Sequence, residues 1–466
     1  MMKLISKTLT LLSIFVLVLG LNSCSNDDDG GETPADPQNI VEIALDDPQL
    51  TSLVQALQIT GLTSVLEGPG PFTVLAPTNA AFAGFLGGTP IEDVDPDDLA
   101  AILLNHVISG NFRASDLVGL GEGYVPGSSP NAQGLFVSIY FNTSSGVRFN
   151  DAGNVTSDGA DITASNGTIH KIDAVLDLPD IADHVIANRN YTTLLAALGE
   201  AGLVGAVQGE GPLTVLAPDN DAFTAFLGDG VDPEDVDDAT LENILLNHVL
   251  GASITSTDLV DLGAGYATTL AQNADEDVLS LYFNTSEGVS FNGVSTVEAA
   301  DIVATNGVIH GVNAVIGLPT IATFATSNPA LSGLVAAITR ADEGTNNINL
   351  GNVISDPTID PLTVFAPADP AFDVLLSDLG VSGLDEVDPA AVYDLILLHI
   401  TGGNVRSTDL PSSGTIPTLG GDITINGLVL TDGDGNDINI IAELVDIQAV
   451  NGVVHAVDYV IRAAVE

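Results

Sequence analysis

The chain has 466 residues, 45% of them hydrophobic, enough for about three domains with their own cores, so disorder is not the default. Nine Lys and Arg against 62 Asp and Glu give a net charge of -53, which repels nucleic acid and anionic headgroups and sets nucleic-acid binding aside. A single cysteine, Cys24, excludes an internal disulfide.

Residues 1–24 combine a basic start (Lys3, Lys7), an apolar stretch from Leu9 to Leu21 and the sequence LNSC, the pattern of a secretory signal. The apolar stretch is too short for a stable membrane-crossing helix. LNSC resembles the lipobox of bacterial lipoproteins, which implies acylation of Cys24; two or three acyl chains make attachment stable where one does not. Asn22 and Ser23 depart from the commonest lipobox residues. The acidic run Asp27-Asp28-Asp29 resembles the surface-export tether of Bacteroidetes-type lipoproteins and reads otherwise as a solvated linker. Residues 25–38 are therefore expected to be a flexible acidic tether, and the protein an outer-membrane lipoprotein exposed at the cell surface.

From residue 39 the chain repeats itself. TVLAPTNAAF (73–82) returns as TVLAPDNDAF (214–223) and TVFAPADPAF (363–372); NGTIHKIDAVL (166–176) returns as NGVIHGVNAVI (306–316) and NGVVHAVDYVI (451–461). ILLNHVI, ILLNHVL and ILLHI stand between them at 102–108, 244–250 and 396–400. A period this long implies that each copy owns a core and folds alone. The expectation is beads on a string, with modules at 39–180, 181–320 and 321–466, joined at the prolines of LPD (178–180) and LPT (318–320).

Within a module, TVLAP predicts a buried strand ended by Pro77, Pro218 or Pro367. Asn79, Asn220 and Asp369 are predicted N-caps, with Pro370 in the first helical position. Phe82, Phe85 and Leu86, matched by Phe223, Phe226 and Leu227 and by Phe372, Leu375 and Leu376, predict one apolar helical face. Asn-Gly in the last block predicts a hairpin. Helices precede strands in each copy, giving an α+β fold class.

These three motifs, in modules of this length, resemble the fasciclin-type domain over essentially all of the chain after residue 39. The resemblance implies a β-wedge or sandwich with a helical cap, in a family associated with adhesion and extracellular-matrix or surface attachment. One departure matters. Animal adhesive members carry Tyr-His in an integrin-binding segment where this chain has Asn105-His106, Asn247-His248 and Leu398-His399, so integrin recognition is not transferred.

Six histidines recur: His106, His248 and His399 in the middle helix and His170, His310 and His455 in the final strand. Helical spacing places the first three with apolar residues at i−3, i−4 and i−7, and alternation places the others on the apolar strand face. They read as neutral core histidines, each bonding through a ring nitrogen; a metal pair would need further ligands. DGDGND (432–437) sets Asp432, Asp434 and Asn436 at alternate positions, and Glu443 falls at the twelfth place of a calcium-loop count. Asp437 stands where that loop needs glycine, so a hairpin turn competes with weak calcium binding; no other cofactor is expected. SIYFNTSSGVRFN (138–150) and SLYFNTSEGVSFN (280–292) read as hairpins bending at Gly146 and Gly288, or as a partner-binding edge found in modules one and two only.

No GxSxG, HExxH or GxxxxGK occurs, so the chain is not expected to be an enzyme. The leading expectation is a surface adhesion or interaction protein that binds extracellular matrix, a protein or a polysaccharide. The alternatives are a glycan-capture lipoprotein for nutrient uptake, weakened by the absence of tryptophan, and a passive surface spacer.

Self-repulsion at this net charge is relieved by counterions, so the melting temperature is expected to rise between low and moderate sodium chloride. A flat or falling melting temperature contradicts this.

Overall fold

The computed structural model describes residues 37–228, 230–344 and 348–464; Cys24, the signal and residues 25–36 of the tether lie outside the described residues. Module one opens with helix α1 (Ile40–Asp46), where Asn39 and Glu42 form a capping box. Helix α2 (Thr51–Thr60) follows and stops at Gly61, whose φ of 69° favours glycine. After the short α3 (Thr63–Leu66) come strand β1 (Phe72–Pro77), α4 (Asn79–Leu86), α5 (Pro96–Asn105), β2 (Val107–Ser109) and α6 (Ala114–Leu120). The rest of the module is strand: β3 (Glu122–Pro130), β4 (Phe136–Asn142), β5 (Arg148–Phe149), β6 (Gly153–Asn154), β7 (Ile162–Ala164) and β8 (Gly167–Ile172). Helices lead and strands follow, as expected for α+β.

One sheet runs β2-β1-β8-β7 and the other β3-β4-β5-β6. The key pairing is parallel: β1 lies beside β8 in register Leu75↔His170, closing a separation of 95 residues (170−75). The same pairing recurs as Leu216↔His310 and Phe365↔His455. In module two the seven strands close into a barrel, and in module three they again form two four-stranded sheets.

β1 is apolar except for Thr73, whose hydroxyl donates to the Gly110 carbonyl, because both its faces are buried. Val74 and Ala76 pack into the cluster under the helices, while Leu75 points the other way, into the core between the sheets. Val215 and Ala217 against Leu216, and Val364 and Ala366 against Phe365, repeat the division.

Two expectations are corrected. Helix α4 is capped by Thr78, and its counterpart in module two by Asp219. Asn79, Asn220 and Asp369 are instead the first helical residues and reach back to a different helix. Asn79 Oδ1 accepts from Ser52 N at 2.9 Å and Asn220 Oδ1 from Thr193 N at 2.9 Å; Asp369 Oδ1 accepts from Gly333 N at 2.7 Å. Each serves the first turn of the long helix before the strand, a partner that local spacing does not reveal. The predicted apolar face is also narrower: Phe82 is buried, but Phe85 and Phe226 are 37% and 43% exposed.

Asn-Gly does more than turn a hairpin. Asn306 Oδ1 accepts from Ile181 N, and its Nδ2 donates to Val207 and Gly209 carbonyls, at 3.0, 2.8 and 3.0 Å. Asn166 and Asn451 make the same three bonds, tying the first helix of the module to the loop before the strand. The following glycine lets two strands meet: a Cβ on Gly307 would lie 2.1 Å from the Leu213 carbonyl oxygen.

Asn306→Ala removes three half-buried hydrogen bonds and is expected to cost about 2 kcal/mol, read as a fall in the urea midpoint at unchanged m-value. An unchanged midpoint contradicts the clamp.

Candidate functional site

All six repeated histidines are buried, none more than 2% exposed. They form two geometric classes. His106 closes α5: its Nδ1 bonds the Ile102 carbonyl at 2.8 Å and its Nε2 accepts from Leu176 N at 2.9 Å. His248 does the same with Ile244 O and Ile316 N, and His399 with Leu395 O and Ile461 N. A backbone N–H directed at Nε2 forces that nitrogen to accept, so these imidazoles are neutral with the proton on Nδ1.

In the final strand the tautomer reverses. His170 Nε2 donates to the Phe112 carbonyl at 2.9 Å while Nδ1 faces Asp161 N at 3.3 Å. His310 pairs likewise with Ile254 O and Asp301 N, and His455 with Val405 O and Asp446 N. Asp161, Asp301 and Asp446 hold φ near 56° and turn their carboxylates onto Ala114 N, Ser256 N and Ser407 N. These aspartates were missed in the sequence, although DITASNGTIH, DIVATNGVIH and DIQAVNGVVH set each nine residues before its histidine.

Both ring nitrogens of every imidazole in the two classes are thus occupied by backbone groups. Among the described residues no cluster of three or more His, Cys, Asp or Glu side chains is placed to hold a metal ion.

In the calcium-loop candidate, residues 432–436 turn a hairpin between strands Val429–Thr431 and Asp437–Asn439. Asp432 is buried, and its carboxylate accepts from Asp434 N, Asn436 N and Arg462 N at 3.0, 2.9 and 3.3 Å. Asn436 also turns its amide onto Asp432 Oδ2 at 3.0 Å, while Glu443 sits in a separate 3-10 turn, Ala442–Leu444. The flanks are strands rather than helices.

The beads-on-a-string expectation fails, because the chain from Gln38 onward forms one compact unit. Two joints built alike hold it together. At the first, the Tyr124 ring stands edge-on to His184 at 5.5 Å, Asn188 Nδ2 donates to Tyr124 Oη at 3.2 Å, and Ser138 Oγ accepts from Val303 N at 3.0 Å. At the second, Tyr266 meets Phe324 at 5.5 Å, Asn328 Nδ2 donates to Tyr266 Oη at 3.1 Å, and Ser280 Oγ accepts from Gln448 N at 3.0 Å. Arg406 adds an ion pair to Asp277 at 2.8 Å. Tyr282 packs into the core of module three. The repeated SxYFN segment therefore meets a partner edge, and that partner is the next module.

The seventh histidine, His184, belongs to the first joint. Its Nε2 donates to the Val303 carbonyl at 3.1 Å, and its buried Nδ1 has no partner among the described residues.

Comparison with known proteins places this architecture. The Fasciclin domain family matches residues 48–179, 189–319 and 330–463. The pig transforming growth factor-beta-induced protein ig-h3 (Sus scrofa) is 26% identical over 402 residues, covering 80% of this chain and 52% of its own. Human periostin (Homo sapiens) is 27% identical over 327 residues, covering 64% and 36%. An uncharacterized protein of Synechocystis is 40% identical over 139 residues, 30% of this chain and 96% of its own. The chain thus spans about half the length of the ig-h3 relative it matches. Among solved structures, a FAS1 domain pair of the insect cell adhesion molecule Fasciclin I aligns at 18% identity and a TM-score of 0.36, over 58% of this chain and 95% of that one.

Burial lowers His106, His184, His248 and His399 from 6.5 to about 4, and lowers His310 and His455 as well. The unfolded chain then binds more protons than the folded one between pH 6.5 and 4. Stability is fully present above pH 6.5 and is lost as pH falls through that window. Urea midpoints should be level above pH 7 and drop below 6.5, with a slope equal to uptake of about four protons on unfolding. A level profile from pH 7 to 5 contradicts neutral buried imidazoles.

Proposed function

The chain belongs to the fasciclin family, and from that membership we propose that it is a non-enzymatic adhesion or interaction protein. In this reading it is held at the outer face of the cell by acyl chains on Cys24 and presents three modules to extracellular matrix or to a protein or polysaccharide surface. Weak contacts on successive modules then add through effective concentration.

One observation carries the non-catalytic part. The most suggestive chemical groups, six imidazoles at repeated positions, use both ring nitrogens on backbone partners and face no open cleft. An imidazole so engaged has no free nitrogen to act as base or ligand. The paired joints support the presenting role, since modules fixed edge to edge hold their outer faces at set spacing. Glycan capture is less well supported, because there is no tryptophan to offer a flat ring to a sugar.

The test compares cells carrying the intact protein, a Cys24→Ser form and a deletion. Attachment to matrix-coated surfaces and biofilm formation should fall in both altered strains, with the Cys24→Ser protein leaving the membrane fraction. Normal attachment by the deletion strain contradicts adhesion, and a Cys24→Ser protein that stays in the membrane contradicts the lipid tether.

A further inference from the structure

The two joints share their mechanical parts, the paired tyrosines, the asparagine amide and the serine hydroxyl, but their surroundings differ. At the first joint a cleft of about 320 Å³ opens between modules one and two. Three tyrosines line it. Tyr124 and Tyr140 stand 5.2 Å apart at 52°, forming two walls, and Tyr191 closes a third side from module two. Tyr191 is only 4% exposed, and its hydroxyl has no hydrogen-bond partner among the described residues. Gly311 makes the space for that hydroxyl: a Cβ there would lie 2.5 Å from Tyr191 Oη.

The charge in the cleft has one sign. Glu122, Asp219 and Glu298 line it, and no lysine or arginine does; the neighbouring Arg189 is engaged with Ser144 Oγ at 2.8 Å. Glu122 is held in place by the Tyr140 hydroxyl at 3.0 Å and the Asn190 amide at 2.9 Å, while Glu298 accepts no hydrogen bond among the described residues.

The second joint shows what is dispensable to joining modules. Where the first has Glu122, Tyr191, Asp219, Glu298 and Gly311, the second has Ala264, Leu331, Ala368, Ile441 and Ala456. The cleft's acids, its third ring and the glycine that admits it are all replaced by apolar side chains, and the joint is still made. These residues therefore serve something other than docking.

We propose that the cleft binds a small organic cation, an alkylammonium or quaternary ammonium group, seated against the tyrosine faces with Glu122, Asp219 and Glu298 balancing its charge. The negative face of an aromatic ring attracts such a group, most strongly where water is excluded. An anion would meet three carboxylates with no counter-charge, and the carboxylates do not gather as a metal site. Burial raises Tyr191 to about 12, so its hydroxyl stays neutral, and its unpartnered oxygen can turn a lone pair toward the cation. Because the walls come from both modules, occupancy also stabilises the first joint by mass action and leaves the second unchanged.

The test is a calorimetric titration of the full chain with choline and with putrescine, at ionic strength held constant with sodium chloride so that general screening cancels. One saturable site per chain is expected, with affinity about ten-fold weaker in Tyr191→Leu, which keeps the net charge and copies the second joint. The exposed Glu298→Gln is a second variant that leaves the fold untouched, and it should also weaken binding. Equal affinity in all three proteins overturns the proposal, as does the absence of saturable heat at millimolar ligand. Saturable heat from glucose or xylose without any from the two amines overturns it too.

Discussion

Each module depends on one long-range contact, the parallel pairing of its first strand with its last. Parallel strands need a long crossover, and here the crossover holds most of the module: Leu75 meets His170, Leu216 meets His310 and Phe365 meets His455. Nothing local enforces that closure, so it is secured at its ends. His106 ties the end of α5 to Leu176, beyond the last strand, and His170 ties that strand to the loop before α6. An imidazole suits the task because its neutral form carries one donor and one acceptor on a flat, largely apolar ring. It satisfies two backbone groups inside a core at the cost of one desolvated side chain, and only while it stays neutral.

The joints apply a similar economy between modules. A tyrosine ring fills a gap against the next module's first helix while its hydroxyl receives an asparagine amide, and a serine hydroxyl receives a backbone N–H from the partner sheet. The module-three sheet within residues 413–439 carries neither the tyrosine nor the serine, and its first two strands have 6 residues each where β3 and β4 have 9 and 7. The aromatic partner is variable, His184 at one joint and Phe324 at the other, so shape at that position matters more than ring chemistry.

Much of this was legible in the sequence because it follows from periodicity. The three repeats, the α+β order, the buried strand ending in proline and the inward faces of the six histidines are short-range patterns that set the face of a helix or strand. The missed features depend on partners far along the chain. Asn79 has the spacing of an N-cap, but its partner Ser52 lies on another helix. Asn166 resembles an ordinary hairpin residue, although its amide reaches Leu66 across the module. Asp161, Asp301 and Asp446 did carry a signal, a fixed nine-residue offset from each histidine, hidden because aspartate is so abundant here. The joints were half legible: the SxYFN segments read as a hairpin or as a partner-binding edge, but nothing local showed that the partner is the next module. The DGDGND segment was ambiguous on spacing alone; in the fold the Asp432 carboxylate points toward backbone donors of its own turn.

The central claim, that paired neutral imidazoles of opposite tautomer lock each module shut, is tested most directly by nitrogen-15 NMR of the histidine side chains. The account predicts two sharp groups at neutral pH: His106, His248 and His399 protonated on Nδ1, and His170, His310 and His455 protonated on Nε2. His106, His248, His399, His310 and His455 should keep their tautomers as the sample is taken below pH 6. Any of the six averaging between tautomers, or any of those five titrating near 6.5 as free histidine does, would contradict it.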